Sequence, residues 1–349
     1  MKRIKKYLSI SLMVFCIFLV GCKSSAVEKS SDNQNSYSYT GFAMGTTISE
    51  QIYGKSDLTK DIFSELQSLE DNLISWRVEN SEISNLNKSA GSGKRTKLSS
   101  STENYLKKVL QLSKDSDGAL DPTIGEIARI WDIGGDNPRV PEQEEIDELL
   151  PYVGYKNLDV NDDGAVIPEG FKIDLGAVGK GIGCDISKEI LDENDVDGAV
   201  ISVGGSILVY GQKPDKSPWK IAITDPRGED ESSILGGLTI DKDCYISTSG
   251  DYEKYIMKDG VRYHHILDPS TGYPADSGLI SVTIVCDNGL LSDGLSTACF
   301  ILGLEKSQSL LEKYNAEAVF VDKDKNVYMT DGMKDMFELT NDNYKIVNN

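Results

Sequence analysis

The stretch LISVTIVCDNGLLSDGLSTACFILG, residues 279–303, joins a strand pattern directly to a helix pattern. Its first part is rich in β-branched apolar residues and ends near Cys286, which predicts a buried strand. Its second part predicts a helix over residues 290–302. Asp293 and Thr297 are four residues apart in that helix and therefore share one of its faces.

This pair of polar side chains has two interpretations. An ionised Asp among apolar neighbours costs several kcal/mol unless it is paired or bound to a metal. A carboxylate beside a hydroxyl is a partial ligand set for Mg²⁺, which takes its remaining ligands from phosphate and water. Alternatively, Asp293 is favoured by the helix dipole while Thr297 bonds back to its own helix.

A second stretch, RYHHILDPSTGYP at residues 262–274, contains both histidines of the chain. It begins as a strand and ends in a series of turn residues, Asp-Pro, Ser-Thr-Gly and Tyr-Pro. This pattern delivers one imidazole from the end of a strand to a rigid polar loop, where ligand groups tend to be displayed. The alternative is a surface His pair ahead of a tight turn.

The rest of the chain places helix patterns early and strand patterns late. Helical spacing covers residues 57–76 and 99–113, a short helix ends at Trp131, and another occupies residues 141–153. Strand patterns dominate from Ala199 onward. This order favours an α+β fold over a doubly wound sheet.

Two segments resemble ligand loops only in part. Residues 159–170 begin like a calcium loop, but Gly170 stands where a bidentate Glu is needed, so we predict a turn between two short strands. In residues 172–191 a strand carrying Ile173 is expected to enter a glycine-rich turn and then a helix. Such a turn either presents N–H groups to phosphate or permits close packing.

The formal net charge of −20 argues against nucleic acid as a partner. It also means that any bound phosphate requires a local cation. The four cysteines beyond the N-terminal region show no CxxC spacing, and we predict that they are buried free thiols. They are Cys184, Cys244, Cys286 and Cys299.

The N-terminus has the pattern of a bacterial lipoprotein signal. A basic MKRIKK segment precedes an apolar run too short to span a membrane comfortably, and LVGC at residues 19–22 resembles a lipobox. We therefore predict a signal peptide at 1–21, palmitate-type acylation of Cys22 and a flexible tether at 22–38. The folded domain, 39–349, would then be lipid-anchored to the extracytoplasmic face of the cell membrane. An uncleaved anchor with an incidental Cys is the alternative.

Taken in order, several motifs of this chain resemble the ApbE family of FAD:protein FMN transferases. The resemblance extends from Met44 to about Thr330. The motifs are AMGTT (43–47), ISWRVENSEISNLN (74–87), GALDPT (118–123), DLGAVGKG (174–181), SVGG (202–205), SGDYE (249–253), HILDPSTGYP (265–274) and SDGLSTA (292–298).

The resemblance implies a fold and a set of site residues. The fold would be one compact α+β catalytic domain with mixed or antiparallel sheets and flanking helices. A Mg²⁺ ion would be bound by the main-chain carbonyl of Ala177 and by Asp293 and Thr297, and the catalytic residues would be His265 and Asp293. The implied FAD contacts are Met44, Trp76, Ala119, Leu120, Asp121, Asp174, Lys180, His265 and Ile266.

The implied reaction is the Mg²⁺-dependent transfer of FMN from FAD to a Thr or Ser hydroxyl of an exported acceptor, with release of AMP. The acceptor would be an electron-transfer subunit or another flavoprotein. Two alternatives are an FAD pyrophosphatase that gives FMN and AMP, and a non-catalytic flavin-binding lipoprotein. SDGLSTA also resembles the acceptor motif of such enzymes, so self-modification at Ser296 or Thr297 is a further, weaker alternative.

Overall fold

The structure is a computed structural model that describes residues 35–230 and 232–347. Among these residues, none of the helices is long and apolar enough to cross a membrane. The predicted signal peptide and Cys22 lie outside the described residues. The α-helices of the described part are α1 (Thr59–Ser68), α2 (Glu82–Lys88), α3 (Ser100–Asp115), α4 (Gly125–Trp131), α5 (Gln143–Leu149), α6 (Gly179–Asp192), α7 (Gly289–Leu302) and α8 (Leu304–Lys313).

The strands form one large sheet and three small ones. The large sheet has the order β1-β2-β5-β6-β9-β12-β13-β14-β16, and a three-stranded sheet has the order β15-β8-β7. The strands are β1 (Asn35–Ala43), β2 (Thr46–Gly54), β3 (Asp159–Asn161), β4 (Gly164–Val166), β5 (Val196–Val203), β6 (Ser206–Gly211), β7 (Trp219–Thr224), β8 (Ile234–Ile240), β9 (Cys244–Gly250), β10 (Tyr255–Lys258), β11 (Val261–His264), β12 (Leu279–Cys286), β13 (Glu317–Asp322), β14 (Asn326–Met329), β15 (Phe337–Leu339) and β16 (Lys345–Ile346).

Alternating side chains bury the two faces of the large sheet in different cores. On one face, Val282 and Ile284 of β12 join the core that includes helix α7. On the other face, Val285 of the same strand joins a core with Ile221 and Leu238 of the small sheet. Helices, large sheet and small sheet therefore form three layers, which confirms the predicted α+β class.

Several strand and helix boundaries in the structure differ from those predicted from the sequence. Residues 35–38, assigned to the tether, belong to β1, because that strand pairs with β2 along its whole length. The strand predicted around Ile173 is absent, and Lys172 makes only an isolated bridge to Ile124. The helix predicted over residues 57–76 is α1 followed by a π-helical segment that ends at Ile74.

Other predictions are confirmed. The strand β12 and helix α7 lie where the pattern of residues 279–303 placed them. Residues 159–166 form the short hairpin β3–β4 expected from the imperfect calcium loop. The four predicted thiols, Cys184, Cys244, Cys286 and Cys299, are free and buried.

One inward-facing carboxylate in the large sheet is unpaired. Glu50 of β2 lies between the core residues Ile48 and Ile52, and only 2% of it is exposed. Neither carboxylate oxygen has a hydrogen-bond partner among the described residues. Burial, with a smaller effect from Asp57, raises the pKa of Glu50 to about 8. The carboxyl group is therefore held protonated at neutral pH.

We predict that Glu50 makes the protein less stable as pH rises. The native state keeps this proton up to about pH 8, while the unfolded chain releases it near pH 4.5. The contribution of the protonated carboxyl to the free energy of unfolding is therefore lost as pH rises through the folded pKa. Glu50→Gln should increase the free energy of unfolding by about 2 kcal/mol more at pH 8.5 than at pH 6. Denaturant unfolding at both pH values measures this difference.

The matched control is Glu65→Gln, because Glu65 is exposed on the neighbouring helix α1. Glu65→Gln should lack the additional stabilisation at pH 8.5 that is expected of Glu50→Gln. An equal, pH-independent effect of both substitutions would contradict the buried, protonated state of Glu50.

Candidate functional site

A single cavity of about 600 Å³ brings distant parts of the chain together. Its wall is built from the β1–β2 turn, the end of the π-helical segment, two loops before α4 and α6, and residues on either side of the β10–β11 hairpin. Most site residues predicted from the sequence line it: Met44, Trp76, Ala119, Leu120, Asp121, Asp174, Ala177, Lys180, His265, Ile266 and Thr297.

The predicted metal ligand Asp293 is placed differently, behind the cavity wall. It lies on α7 with only 2% of its surface exposed and does not line the cavity. One carboxylate oxygen accepts a hydrogen bond of 2.9 Å from the backbone N–H of Gly181. The other lies 3.3 Å from Nζ of Lys180, which lines the cavity.

Two glycines permit this arrangement of α6 and α7. A Cβ atom on Gly181 would lie 2.0 Å from the carbonyl oxygen of Gly289 and 2.8 Å from Cβ of Asp293. A Cβ on Gly289 would lie 2.2 Å from the carbonyl of Gly181. The glycine-rich turn therefore serves close helix packing, which is what brings Lys180 within reach of Asp293.

Hydroxyl pairs fix α7 against strand β9. The Oγ atoms of Ser247 and Ser292 are 2.6 Å apart, and those of Ser249 and Ser296 are 2.7 Å apart. Thr297 Oγ1 lies 3.3 Å from Ser249 Oγ and, unlike these serines of α7, lines the cavity. Ser296 is fully buried, which argues against its modification.

The imidazole of His265 is held in one orientation by the backbone. Its Nδ1 lies 3.3 Å from the carbonyl oxygen of Lys254, and a carbonyl can only accept, so Nδ1 carries the hydrogen. The other nitrogen, Nε2, then keeps its lone pair. Burial, together with the nearby charges of Lys180 and Lys254, lowers the pKa of His265 to about 3.

Two cations lie over the ring of Trp76. Arg77 Cζ is 4.2 Å from the ring centroid, and Lys172 Nζ is 4.4 Å from it. Arg77 is also paired with Asp132 at 2.9 Å. A planar ligand that stacks on Trp76 must displace one of these cations or lie beside both.

The predicted contact Asp121 uses its carboxylate for structure. The buried side chain accepts hydrogen bonds from the N–H and hydroxyl of Thr123 and from the N–H of Tyr155, at 2.6 to 2.8 Å. Burial raises the pKa of Asp121, although these bonds oppose the shift. Asp121 therefore shapes its turn, and it lines the cavity together with Ala119 and Leu120.

The cavity wall contains two charged residues, Glu253 and Lys254, that were not among the site residues predicted from the sequence. Burial opposes the positive charge of Lys180, but Asp293 and Glu253 outweigh this effect and raise the pKa of Lys180. Burial and the proximity of Lys180 lower the pKa of Lys254. Glu253 ends the quoted SGDYE motif, so a signal was present for it, whereas Lys254 lies just beyond that motif.

The sequence of this chain is similar to those of known proteins. Residues 44–320 match the ApbE family. A Treponema pallidum FAD:protein FMN transferase is 31% identical over 322 residues, covering 86% of this chain and 88% of the relative. A Klebsiella pneumoniae protein of the same name is 30% identical, covering 91% and 98% respectively.

Two solved structures have a fold similar to that of this chain. The ApbE protein of Thermotoga maritima has a TM-score of 0.77 and 33% identity, covering 86% of this chain and 98% of that one. The flavin transferase ApbE of Vibrio cholerae has a TM-score of 0.73 and 29% identity, covering 88% and 97%.

We predict that His265 takes up no proton between about pH 5 and pH 8 in the ligand-free protein, and that His264 takes up its proton at a lower pH than an unburied imidazole does. Burial lowers the pKa of His264, and burial with two lysines lowers that of His265. Because the chain has only two histidines, ¹⁵N NMR of the imidazoles can follow both, and His265→Gln assigns them. His265 should be the Nδ1-protonated tautomer.

The urea-unfolded chain supplies the reference, in which both rings should titrate near pH 6.5. Lys180→Met should raise the pKa of His265, because it removes a neighbouring positive charge. A native titration midpoint near 6.5 for His265 would contradict the electrostatics described for the cavity.

Proposed function

This chain belongs to the ApbE family, and on that premise we propose that it transfers the FMN part of FAD to a Ser or Thr hydroxyl of another protein. AMP is the second product. The single observation that carries this proposal is the convergence of the predicted flavin, cation and imidazole residues on one cavity of about 600 Å³. That volume is within the usual range for pockets that bind small molecules and cofactors.

The cavity has the charges that a dinucleotide requires. FAD carries two negative charges on its pyrophosphate, and a chain of net charge −20 would repel it without local cations. Lys180 and Lys254 both line the cavity. Trp76 and Met44 offer an aromatic and a thioether surface to flat rings.

The residues around Asp293 fit Mg²⁺. They offer hard oxygen donors: the Asp293 carboxylate, the Thr297 hydroxyl one turn later and the main-chain carbonyl of Ala177. Among the described residues, no three His, Cys, Asp or Glu side chains are grouped to hold a metal, so such a site would draw most of its ligands from hydroxyl, carbonyl, phosphate or water oxygens. Bound Mg²⁺ would neutralise phosphate charge and orient the phosphorus.

Lys180 occupies the position that such a cation would need. Its ammonium lies 3.3 Å from the Asp293 carboxylate, and Lys180 lines the cavity whereas Asp293 does not. We therefore propose that Lys180 neutralises Asp293 in the ligand-free protein and would turn to the phosphate of FAD if Asp293 held Mg²⁺. Glu253, whose charge raises the pKa of Lys180, faces the same cavity and stabilises the released ammonium.

The transfer step is a substitution at the phosphorus of the FMN half. The acceptor Oγ forms a bond to that phosphorus while the bond from phosphorus to the bridging oxygen breaks, and AMP leaves with that oxygen. The hydroxyl proton passes to Nε2 of His265, the ring nitrogen left free by the bond from Nδ1 to Lys254. The phosphate charges of FAD offset Lys180 and Lys254, so they raise the pKa of His265 toward the range useful for a base.

The proposal predicts covalent modification that depends on Asp293. The purified protein is incubated with FAD, Mg²⁺ and an acceptor domain bearing an Asp-Gly-x-x-(Ser/Thr)-x-Thr motif, and the products are analysed by mass spectrometry. We expect one FMN added to each acceptor and an equal amount of AMP. Asp293→Asn should lower the rate at least about 100-fold, because the cation site loses its charge, while the exposed Asp287→Asn should leave it unchanged.

Two outcomes would contradict the proposal. Free FMN and AMP beside an unmodified acceptor would identify an FAD pyrophosphatase. Intact FAD and an unmodified acceptor would identify a flavin-binding protein without turnover.

We also propose that the protein is exported and anchored to the membrane by a lipid on Cys22, so that it modifies exported proteins. The support is the sequence alone: a basic segment, a short apolar run and LVGC at residues 19–22. Strand β1 begins at Asn35, so only a short segment separates Cys22 from the catalytic domain.

Cys22→Ser should therefore move the protein from the membrane fraction to the soluble fraction of the producing bacterium. Metabolic labelling with palmitate should mark the wild-type chain and not the variant. Cys184→Ser serves as the control, because that thiol is buried in the catalytic domain and should affect neither result. A Cys22→Ser protein that stays in the membrane fraction would contradict lipid anchoring.

A further inference from the structure

The β10–β11 hairpin begins and ends at two residues of the catalytic cavity. Lys254 immediately precedes β10, and His265 immediately follows β11. The backbone N–H of His265 donates a 3.0 Å hydrogen bond to the carbonyl of Lys254, so this pair continues the ladder of the hairpin. The turn at Asp259 and Gly260 has φ values of 52° and 80°, the left-handed pair that closes a tight hairpin.

The register of the hairpin places one continuous face in line with the cavity. Ile256 pairs with Tyr263, and Lys258 pairs with Val261. Residues opposite each other in an antiparallel ladder share a face, and so do residues two apart on a strand. We call the resulting set the hairpin face; it consists of Lys254, Ile256, Lys258, Val261, Tyr263 and His265.

Apart from Lys254, which is exposed, this face changes from half-buried near the cavity to exposed at the hairpin turn. Tyr263 packs against Trp131, which lines the cavity, with ring centroids 5.6 Å apart. Ile256 is half-buried, whereas Lys258 is exposed and Val261 is 49% exposed. Any macromolecule that reaches His265 along this face must therefore contact Val261 and Lys258 first.

The hairpin leaves several large apolar side chains exposed to solvent. Seven large apolar side chains are exposed in the described part of the chain, and three of them lie on this hairpin: Val261 on the hairpin face, and Tyr255 and Met257 on the opposite face. A fourth, Phe42, is 66% exposed and lines the same cavity. Exposed apolar groups concentrated at the rim of a catalytic cavity are typical of a protein-binding surface.

The charge of the hairpin face is opposite to that of the whole chain. Lys254 and Lys258 are its charged residues, the imidazole of His265 is neutral, and the face has no carboxylate. Arg262, on the opposite face, is paired with Asp251 at 3.4 Å and is therefore not free for a partner. In a chain of net charge −20, this local positive surface favours an electronegative partner.

The geometry points to the hairpin face as the docking surface for the acceptor protein. The acceptor binds through a segment that carries carboxylates and an apolar side chain beside the hydroxyl to be modified. Val261 and Ile256 contact the apolar side chain, Lys258 pairs with a carboxylate, and the hydroxyl is led to His265. This inference rests on the proposed transfer reaction, because the reaction requires a protein hydroxyl to enter the cavity.

The test compares substitutions on the two faces of the same hairpin. Val261→Ser and Lys258→Glu change the hairpin face, and Met257→Ser, at a residue 57% exposed on the opposite face, is the matched control. The probe is a purified acceptor domain with the Asp-Gly-x-x-(Ser/Thr)-x-Thr motif. The readouts are KM for this domain, kcat, the Kd for FAD, the unfolding temperature and the sedimentation coefficient.

We expect Val261→Ser to raise KM for the acceptor about fivefold and Lys258→Glu about tenfold or more. Raising the salt concentration should increase the wild-type KM but not that of Lys258→Glu. Met257→Ser should change KM less than about twofold. The Kd for FAD should be the same in all four proteins, because no substituted side chain lines the cavity.

Several results would overturn the docking role. An unchanged KM for Val261→Ser and Lys258→Glu would exclude contact with the acceptor. An equal loss in Met257→Ser would indicate a general disturbance of the hairpin, and a change in sedimentation would indicate that a second copy of this chain covers it. If the wild-type protein transferred no FMN, the proposed function itself would be wrong. If FMN transfer occurred but was unaffected by the hairpin substitutions, only the docking role would be wrong.

Discussion

The arrangement of the whole site depends on one buried carboxylate. Asp293 is almost fully enclosed on α7, where it receives the N–H of Gly181 and the ammonium of Lys180. An unpaired ion at this position would cost several kcal/mol, so its partners on α6 are required by the fold. Helices α6 and α7 approach closely because they meet at Gly181 and Gly289, which have no side chains. The ion pair between Asp293 and Lys180 depends on this close approach.

The same constraint determines the chemistry of the cavity. Lys180, paired with Asp293, lies near His265 and Lys254, and burial together with these two charges keeps the imidazole neutral. The proposed base is thus prepared without its proton, and both lysines line the cavity in which the phosphates of FAD are proposed to bind. In a chain of net charge −20, Lys180 and Lys254 at the cavity wall supply the local positive charge that the proposed acidic substrate requires.

Local patterns predicted the parts of this site, but not how they meet. The spacing of Asp293 and Thr297 gave their shared helix face, and the turn residues after His265 gave its position at the end of a strand. The sequence did not show that Lys180 would pair with Asp293, because that contact depends on the crossing of two helices distant in the chain. The strand expected at Ile173 is absent for a similar reason: the backbone N–H and carbonyl of Ile173 are bonded to the side chain of Asn87, which is distant in the chain.

The central claim is that Lys180 takes the place of a metal ion at Asp293. Isothermal titration of Mg²⁺ into the FAD-free protein tests it, comparing the wild-type chain with Lys180→Met and with Lys188→Met, which alters an exposed pair with Asp192 on the same helix. If Lys180 competes with the metal, Lys180→Met should bind Mg²⁺ about tenfold more tightly while Lys188→Met should equal the wild type. An unchanged or weaker affinity in Lys180→Met would contradict the claim.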